Sequence, residues 1–147
     1  MFHRLALLLT AAMLAGCAAS GAIDRDRDGT PEFEPCGNAP RCVVSLEDAG
    51  PRQIESLTYT TSPLLARMQL MQLLVGRDDV EVVTAADDYI HAVFITPRLR
   101  YRDDVEFLIR DDGRVDVRSS SRIGWYDWGT NRNRIESLRA QLATKSL

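Results

Sequence analysis

Apolar positions along the chain fall into blocks of different period. Leu5 to Ala15 is an almost unbroken apolar run behind Arg4, whereas 18–35 is small, polar and charged without periodicity. From Ser62 the spacing turns helical: Leu64, Leu65, Met68, Met71, Leu74 and Val75 form one broad apolar face. Ser62 suits the N-cap, Pro63 the first helical position and Gly76 a left-handed terminator. Alternating segments then predict strands at Val80 to Ala85, Tyr89 to Thr96, Val105 to Arg110 and Arg114 to Ser120. Ile135, Leu138 and Leu142 recur at helical spacing behind Thr130, a suitable cap for a last helix.

Short connections between the four strands imply an antiparallel meander. A three-residue Asp111-Asp112-Gly113 loop with Gly113 left-handed sets Ile109 opposite Val115 and Phe107 opposite Val117. That register also sets Glu106 opposite Arg118 on the other face, predicting a cross-strand ion pair. A two-residue turn would mix Ile109 with Asp116. The order α-β-β-β-β-α thus predicts a two-layer α+β domain, a four-stranded antiparallel sheet with both helices on one face.

The leading run is too short to cross a bilayer, which takes about 20 apolar residues. A basic start, an apolar run and the ending Leu14-Ala15-Gly16-Cys17 have the layout of a secretory signal, and that ending resembles the lipobox of bacterial lipoproteins. By that resemblance 1–16 is a removed signal peptide, Cys17 carries the acyl chains, palmitate among them, and 17–35 tethers a single domain, 36–147, to a membrane. Ala18 in place of an acidic residue resembles the outer-membrane sorting signal of enteric bacteria. The expected location is the cell envelope, facing the periplasm. Cys36 and Cys42 then remain as an even pair in an oxidising compartment, and a disulfide closing the N-terminal loop is expected.

The chain has 147 residues, Lys+Arg 18 against Asp+Glu 21 and net charge -3. One small domain fits that length. Residues 17–97 carry six basic and thirteen acidic side chains, 98–147 eleven and eight. An exported, net-acidic chain argues against nucleic acid as a partner. Asp24, Asp26 and Asp28 have the spacing that opens calcium loops, but Pro35 stands where an EF-hand supplies its bidentate Glu, and a solvated tether is preferred. No metal or cofactor is expected.

Tyr101 to Phe107 and Arg118 to Ile135 hold most of the chemistry. Together with Cys36 to Ser45 and His91-Ala92, the segments Asp103 to Phe107 and Arg118 to Arg134 resemble the bacterial and plastid family called domain of unknown function 1499. Val44 departs from the usual serine. The resemblance implies no activity, and no nucleotide loop, nucleophile elbow or zincin helix is present.

Arg132 and Arg134 fall in the first turn of the last helix, against its positive dipole end. Either Asp127 compensates, with Arg118, Arg122, Asn131 and Glu106 in an internal network, or the four arginines hold an external anion, Arg132 being the more plausible contact. Trp125, Tyr126 and Trp128 are expected to cover the edge of the core ahead of stacking on a sugar or entering a membrane interface. His91 reads as structural. The expected function is a lipid-anchored envelope protein with a binding or scaffolding domain for a phosphate, glycolipid or glycan. The rival is a hydrolase using His91 with Asp104 or Glu106, or a nucleophile among Ser119 to Ser121.

Overall fold

The computed structural model describes residues 24–25 and 31–145. Strands β1 (Asp24–Arg25) and β2 (Pro31–Glu32) form a separate two-stranded ladder. The main body follows as β3 (Cys42–Val44), a 3-10 turn (Gly50–Arg52), β4 (Leu57–Thr58), α1 (Pro63–Val75), β5 (Val80–Ala85), β6 (Tyr89–Ile95), β7 (Arg102–Ile109), β8 (Arg114–Ser121) and α2 (Thr130–Lys145). The α+β class and the β5 to β8 meander are as expected. The sheet, however, has six strands, in the order β3-β8-β7-β6-β5 with β4 also on β8.

The two extra strands come from far along the chain. Val43 pairs with Ser119 and Leu57 with Val115, all antiparallel. Without them β8 would be an open edge with unpaired amides and carbonyls. Strands of two or three residues carry no readable alternation, so the sequence pattern does not reveal them. Packed chain also begins earlier than Cys36. Phe33 is buried with Val44, Tyr89 and Leu108 on the helix-free face, and Glu34 O accepts from Arg118. Both residues, Phe33 and Glu34, lie inside the stretch 17–35 expected as the tether. Cys36 and Cys42 are disulfide-bonded, Cα atoms 5.7 Å apart.

The β7–β8 hairpin has the predicted register, Ile109 opposite Val115, Phe107 opposite Val117 and Glu106 opposite Arg118. Gly113 is left-handed at φ 89°, and a Cβ there would stand 3.1 Å from Tyr59 O. Between sheet and helices lies the core: Leu70 and Leu74 from α1, Ile135 and Leu138 from α2, and Ile90, Ala92, Phe94, Val105, Phe107, Ile109, Val115 and Val117 from the strands.

Three details of the helices differ from expectation. In α1 the buried line is Ala66, Leu70 and Leu74, while Leu64, Leu65, Met68 and Val75 are exposed. With apolar residues nearly all round this helix, the pattern could not choose a face; Leu70 and Leu74 are the α1 residues that join the core against the sheet. Gly76 ends α1 at φ -77°, closed by its amide on Gln72 O, not in the left-handed region. Thr130 is the first helical residue of α2 and not its cap. Asp127 takes that role, its carboxylate accepting from the amides of Gly129 and Asn131 at 3.0 Å each. Among the described residues no helix is long and apolar enough to cross a membrane.

Candidate functional site

The sheet divides the charged residues of the late motifs into two networks. On the helix-free face β7 contributes Asp104 and Glu106, as alternation requires. Glu106 accepts from Arg118 Nη1 at 2.9 Å and from the Tyr89 hydroxyl at 2.9 Å. Asp104 takes both Arg122 nitrogens, at 2.8 and 2.9 Å, and lies 2.8 Å from His91 Nε2. Burial disfavours the ionised Asp104, yet the hydrogen bonds from His91 and Arg122 outweigh it and hold its pKa well below the carboxylate range. Burial, with the Glu106 carboxylate beside it, pushes the Tyr89 phenol far up.

On the helix-facing side Asn131 is the hub, fully buried at the start of α2. Its Oδ1 accepts from Ser119 Oγ and Arg134 Nη1, at 2.6 Å each. Its Nδ2 donates to Arg41 O, Ser121 Oγ and Asp127 Oδ2. Arg134 also pairs with Asp103 and stacks 4.9 Å from the centre of the Phe94 ring. Arg134 therefore escapes the dipole conflict by pointing back to the sheet. Arg132 donates to the carbonyls of Pro51 and Gln53, which fastens α2 to the chain before β4. The six residues singled out in sequence thus do not meet in one place: Arg118 and Arg122 lie on one side of the sheet, Asp127, Asn131 and Arg134 on the other, and Arg132 beside the 3-10 turn. Arg102 pairs with Glu81.

His91, Asp104 and Glu106 are likewise built into the sheet. Ser119 and Ser121 face the helix layer, opposite His91, and Ser120 stands one strand beyond Asp104. Two strand spacings and a two-residue offset along the strand put Ser120 roughly 12 Å from His91, backbone to backbone. Asp24 falls in β1, and Asp26 and Asp28 lie outside the described residues. Among the described residues no cluster of three or more His, Cys, Asp or Glu side chains could hold a metal ion.

A cleft of about 640 Å³ opens at the end of the sheet where the β6–β7 loop (96–101) meets the β8–α2 loop (122–129). Thr96 organises the first loop: its amide donates to Tyr101 O, its Oγ1 accepts from Tyr101 N, and its carbonyl accepts from Arg100 N. In the second loop Asp127 fixes the chain on either side of Trp128. Among the described residues, two of the three non-glycine residues with positive φ are Arg100 (55°) and Trp128 (56°), one in each loop. Bulky residues reach this region only at an energetic cost, and such strain concentrates where side chains are held for use. Trp125, Tyr126 and Trp128 are 70%, 53% and 85% exposed, so they do not cover the core's edge as expected. Tyr126 and Trp128 meet edge to face at 5.2 Å, and Leu99, Tyr101 and Ile123 are exposed beside them.

Leu99 and the arginines around it are functional candidates that the sequence reading passed over. Their signal is visible in Pro97-Arg-Leu-Arg-Tyr-Arg102, where apolar and cationic residues alternate in a loop. A loop has no buried face to fill, so an apolar residue there is spared from packing.

No curated protein and no solved structure matches the chain. Residues 32–142 match the family described as "Protein of unknown function (DUF1499)". That stretch takes in both networks, both loops of the cleft and all of the main sheet; the chain belongs to the DUF1499 family.

Proposed function

We propose that the protein is a lipid-anchored component of the cell envelope, held through Cys17 and facing the periplasm, most simply at the outer membrane. Its domain is a binding module that takes an anionic ligand in the cleft between 96–101 and 122–129. One observation carries this reading: the exposed Tyr126, the exposed and left-handed Trp128 and the unpaired Arg98 line a single cleft, with the unpaired, left-handed Arg100 in one of its two loops. The two buried networks serve as the frame that holds those loops, because Arg122 and Asp127 belong to one network each and also bound the β8–α2 loop.

The hydrolase reading has the 2.8 Å contact between His91 and Asp104 in its favour. Against it, His91 is buried in the sheet, does not line the cleft, and has no serine within reach.

The only two tryptophans of the chain, Trp125 and Trp128, both lie in the cleft loop, so intrinsic emission reports on that site alone. Titrating the purified chain with inorganic phosphate, a phosphorylated disaccharide and phosphatidylglycerol should give a saturable emission change with at least one probe, weakened tenfold or more by Trp128→Ala. No change with any of the three contradicts the binding reading. In cells, Cys17→Ser should release the chain from membranes or leave the signal uncut. Unchanged membrane fractionation at unchanged mass contradicts the anchor.

A further inference from the structure

We infer that the cleft is built for a single anionic amphiphile, an apolar chain bearing one phosphate or carboxylate, with the chain against Leu99, Ile123 and Trp128 and the headgroup against Arg98 and Arg100. This deepens the binding reading above and rests on it. The argument for the ligand class comes from which groups of the cleft are still free to act.

The hydroxyls of Tyr101, Tyr126 and Thr130 and the Trp128 indole N–H have no partner among the described residues, whereas the acidic groups and the other hydroxyls lining the cleft are engaged. Thr96 Oγ1 accepts from Tyr101 N, Ser121 Oγ from Asn131, Asp103 holds Arg134, and Asp127 holds the amides of Gly129 and Asn131. The cleft also offers free apolar surface. Leu99 is 66% exposed, Ile123 55% and Trp128 85%.

Charge supplies the second half. Between residues 98 and 139 the other arginines are all engaged: Arg102 with Glu81, Arg110 and Arg114 with aspartates, Arg118 with Glu106, Arg122 with Asp104, Arg132 with carbonyls, Arg134 with Asp103 and Arg139 with Glu136. Arg98 and Arg100 alone in that span have no side-chain partner among the described residues, and both are exposed. They flank Leu99 in the β6–β7 loop: Arg98 lines the cleft, and Arg100, two residues on, has a left-handed backbone. Two free guanidiniums on either side of an apolar side chain complement an anion joined to a hydrocarbon chain. A cleft of about 640 Å³ lies in the range that small ligands occupy.

The test uses the purified full chain carrying Cys17→Ser, so that no attached lipid competes, and reads tryptophan emission. Dodecyl phosphate below its micelle threshold is the probe. Dodecyl maltoside supplies the chain without the charge, inorganic phosphate the charge without the chain, and phosphatidylglycerol vesicles a membrane surface. Dodecyl phosphate should shift the emission to the blue and saturate at one per chain, with both partial probes at least tenfold weaker. Arg98→Gln combined with Arg100→Asn should weaken it tenfold or more at unchanged melting temperature, since asparagine tolerates the left-handed backbone at 100. Equal affinity for dodecyl maltoside, or a response to vesicles alone, overturns the inference. Binding of a phosphorylated disaccharide without binding of dodecyl phosphate overturns it too, while leaving the cleft as a binding site. Silence with every probe overturns both.

Discussion

Arg118 and Glu106 stand opposite each other in the β7–β8 ladder, and guanidinium meets carboxylate at 2.9 Å on the face that carries no helix. Their side chains are 10% and 4% exposed, so neither charge can fall back on water if its partner is lost. Arg118→Ala should therefore lower the unfolding free energy by about 3–5 kcal/mol. Glu106→Gln with Arg118→Met removes both charges, keeps an acceptor for Tyr89, and should recover most of that loss. Denaturant unfolding of the two variants measures this. A double variant as unstable as the single one would contradict the pairing.

Asn131 joins β8, the chain before β3 and the start of α2 through one side chain. Asn131→Ala would strand Ser119, Arg134 and Asp127 together, each having lost a buried partner. Stability should fall by about 2 kcal/mol or more, and hydrogen exchange should quicken at the amides of Gly129 and Asn131 first. A neutral substitution would show that Asp127 caps α2 unaided.

Asp104 makes a prediction in acid. Its folded-state pKa is lowered, so its contribution to stability is fully present above the unfolded value of about 4 and is lost as pH falls through the folded-state value. Arg122→Gln removes one of the two groups that lower it. The decline of stability with falling pH should then start at the same pH, which the unfolded state sets, but be smaller and level off at a higher pH than in the wild type, as followed by melting temperature between pH 6 and 2. Superimposable acid limbs would contradict the Asp104–Arg122 coupling.

Helix α1 separates what packs from what merely looks apolar. Leu70→Ala should cost about 2–5 kcal/mol, because Leu70 is 1% exposed in the core. Leu64→Ser and Met68→Ser should stay within about 0.5 kcal/mol of wild type, since those residues are 63% and 55% exposed. Comparable losses at all three positions would place the wrong face of α1 against the sheet.

That helix also shows where sequence reading stops. A period can identify a face only when the opposite face is polar, and α1 is apolar around nearly all of its circumference. The β7–β8 hairpin was readable to the residue because Gly113 and strict alternation leave one register that buries Phe107, Ile109, Val115 and Val117 together. Strands β3 and β4 were not, since their partners on β8 lie more than fifty residues away in sequence. The late arginines announced themselves as a group, but the group is divided by the sheet. Only the depth coordinate tells Arg118, which is buried in a pair, from Arg98, which is free. The cleft was half legible: its aromatics stood out, while Leu99 and its flanking arginines were hidden in a segment read as a mere connection.

Mapping the ligand on the backbone tests the central claim, that the cleft between the two loops is where this domain binds. Amide shifts of the isotope-labelled full chain carrying Cys17→Ser would be followed while dodecyl phosphate is added below its micelle threshold. The largest changes should fall at 96–103 and 121–130 and should fade in Trp128→Ala, with α1 unmoved. Changes centred on Leu64, Leu65 and Met68, or on His91 and Asp104, would put the binding surface elsewhere and contradict the account.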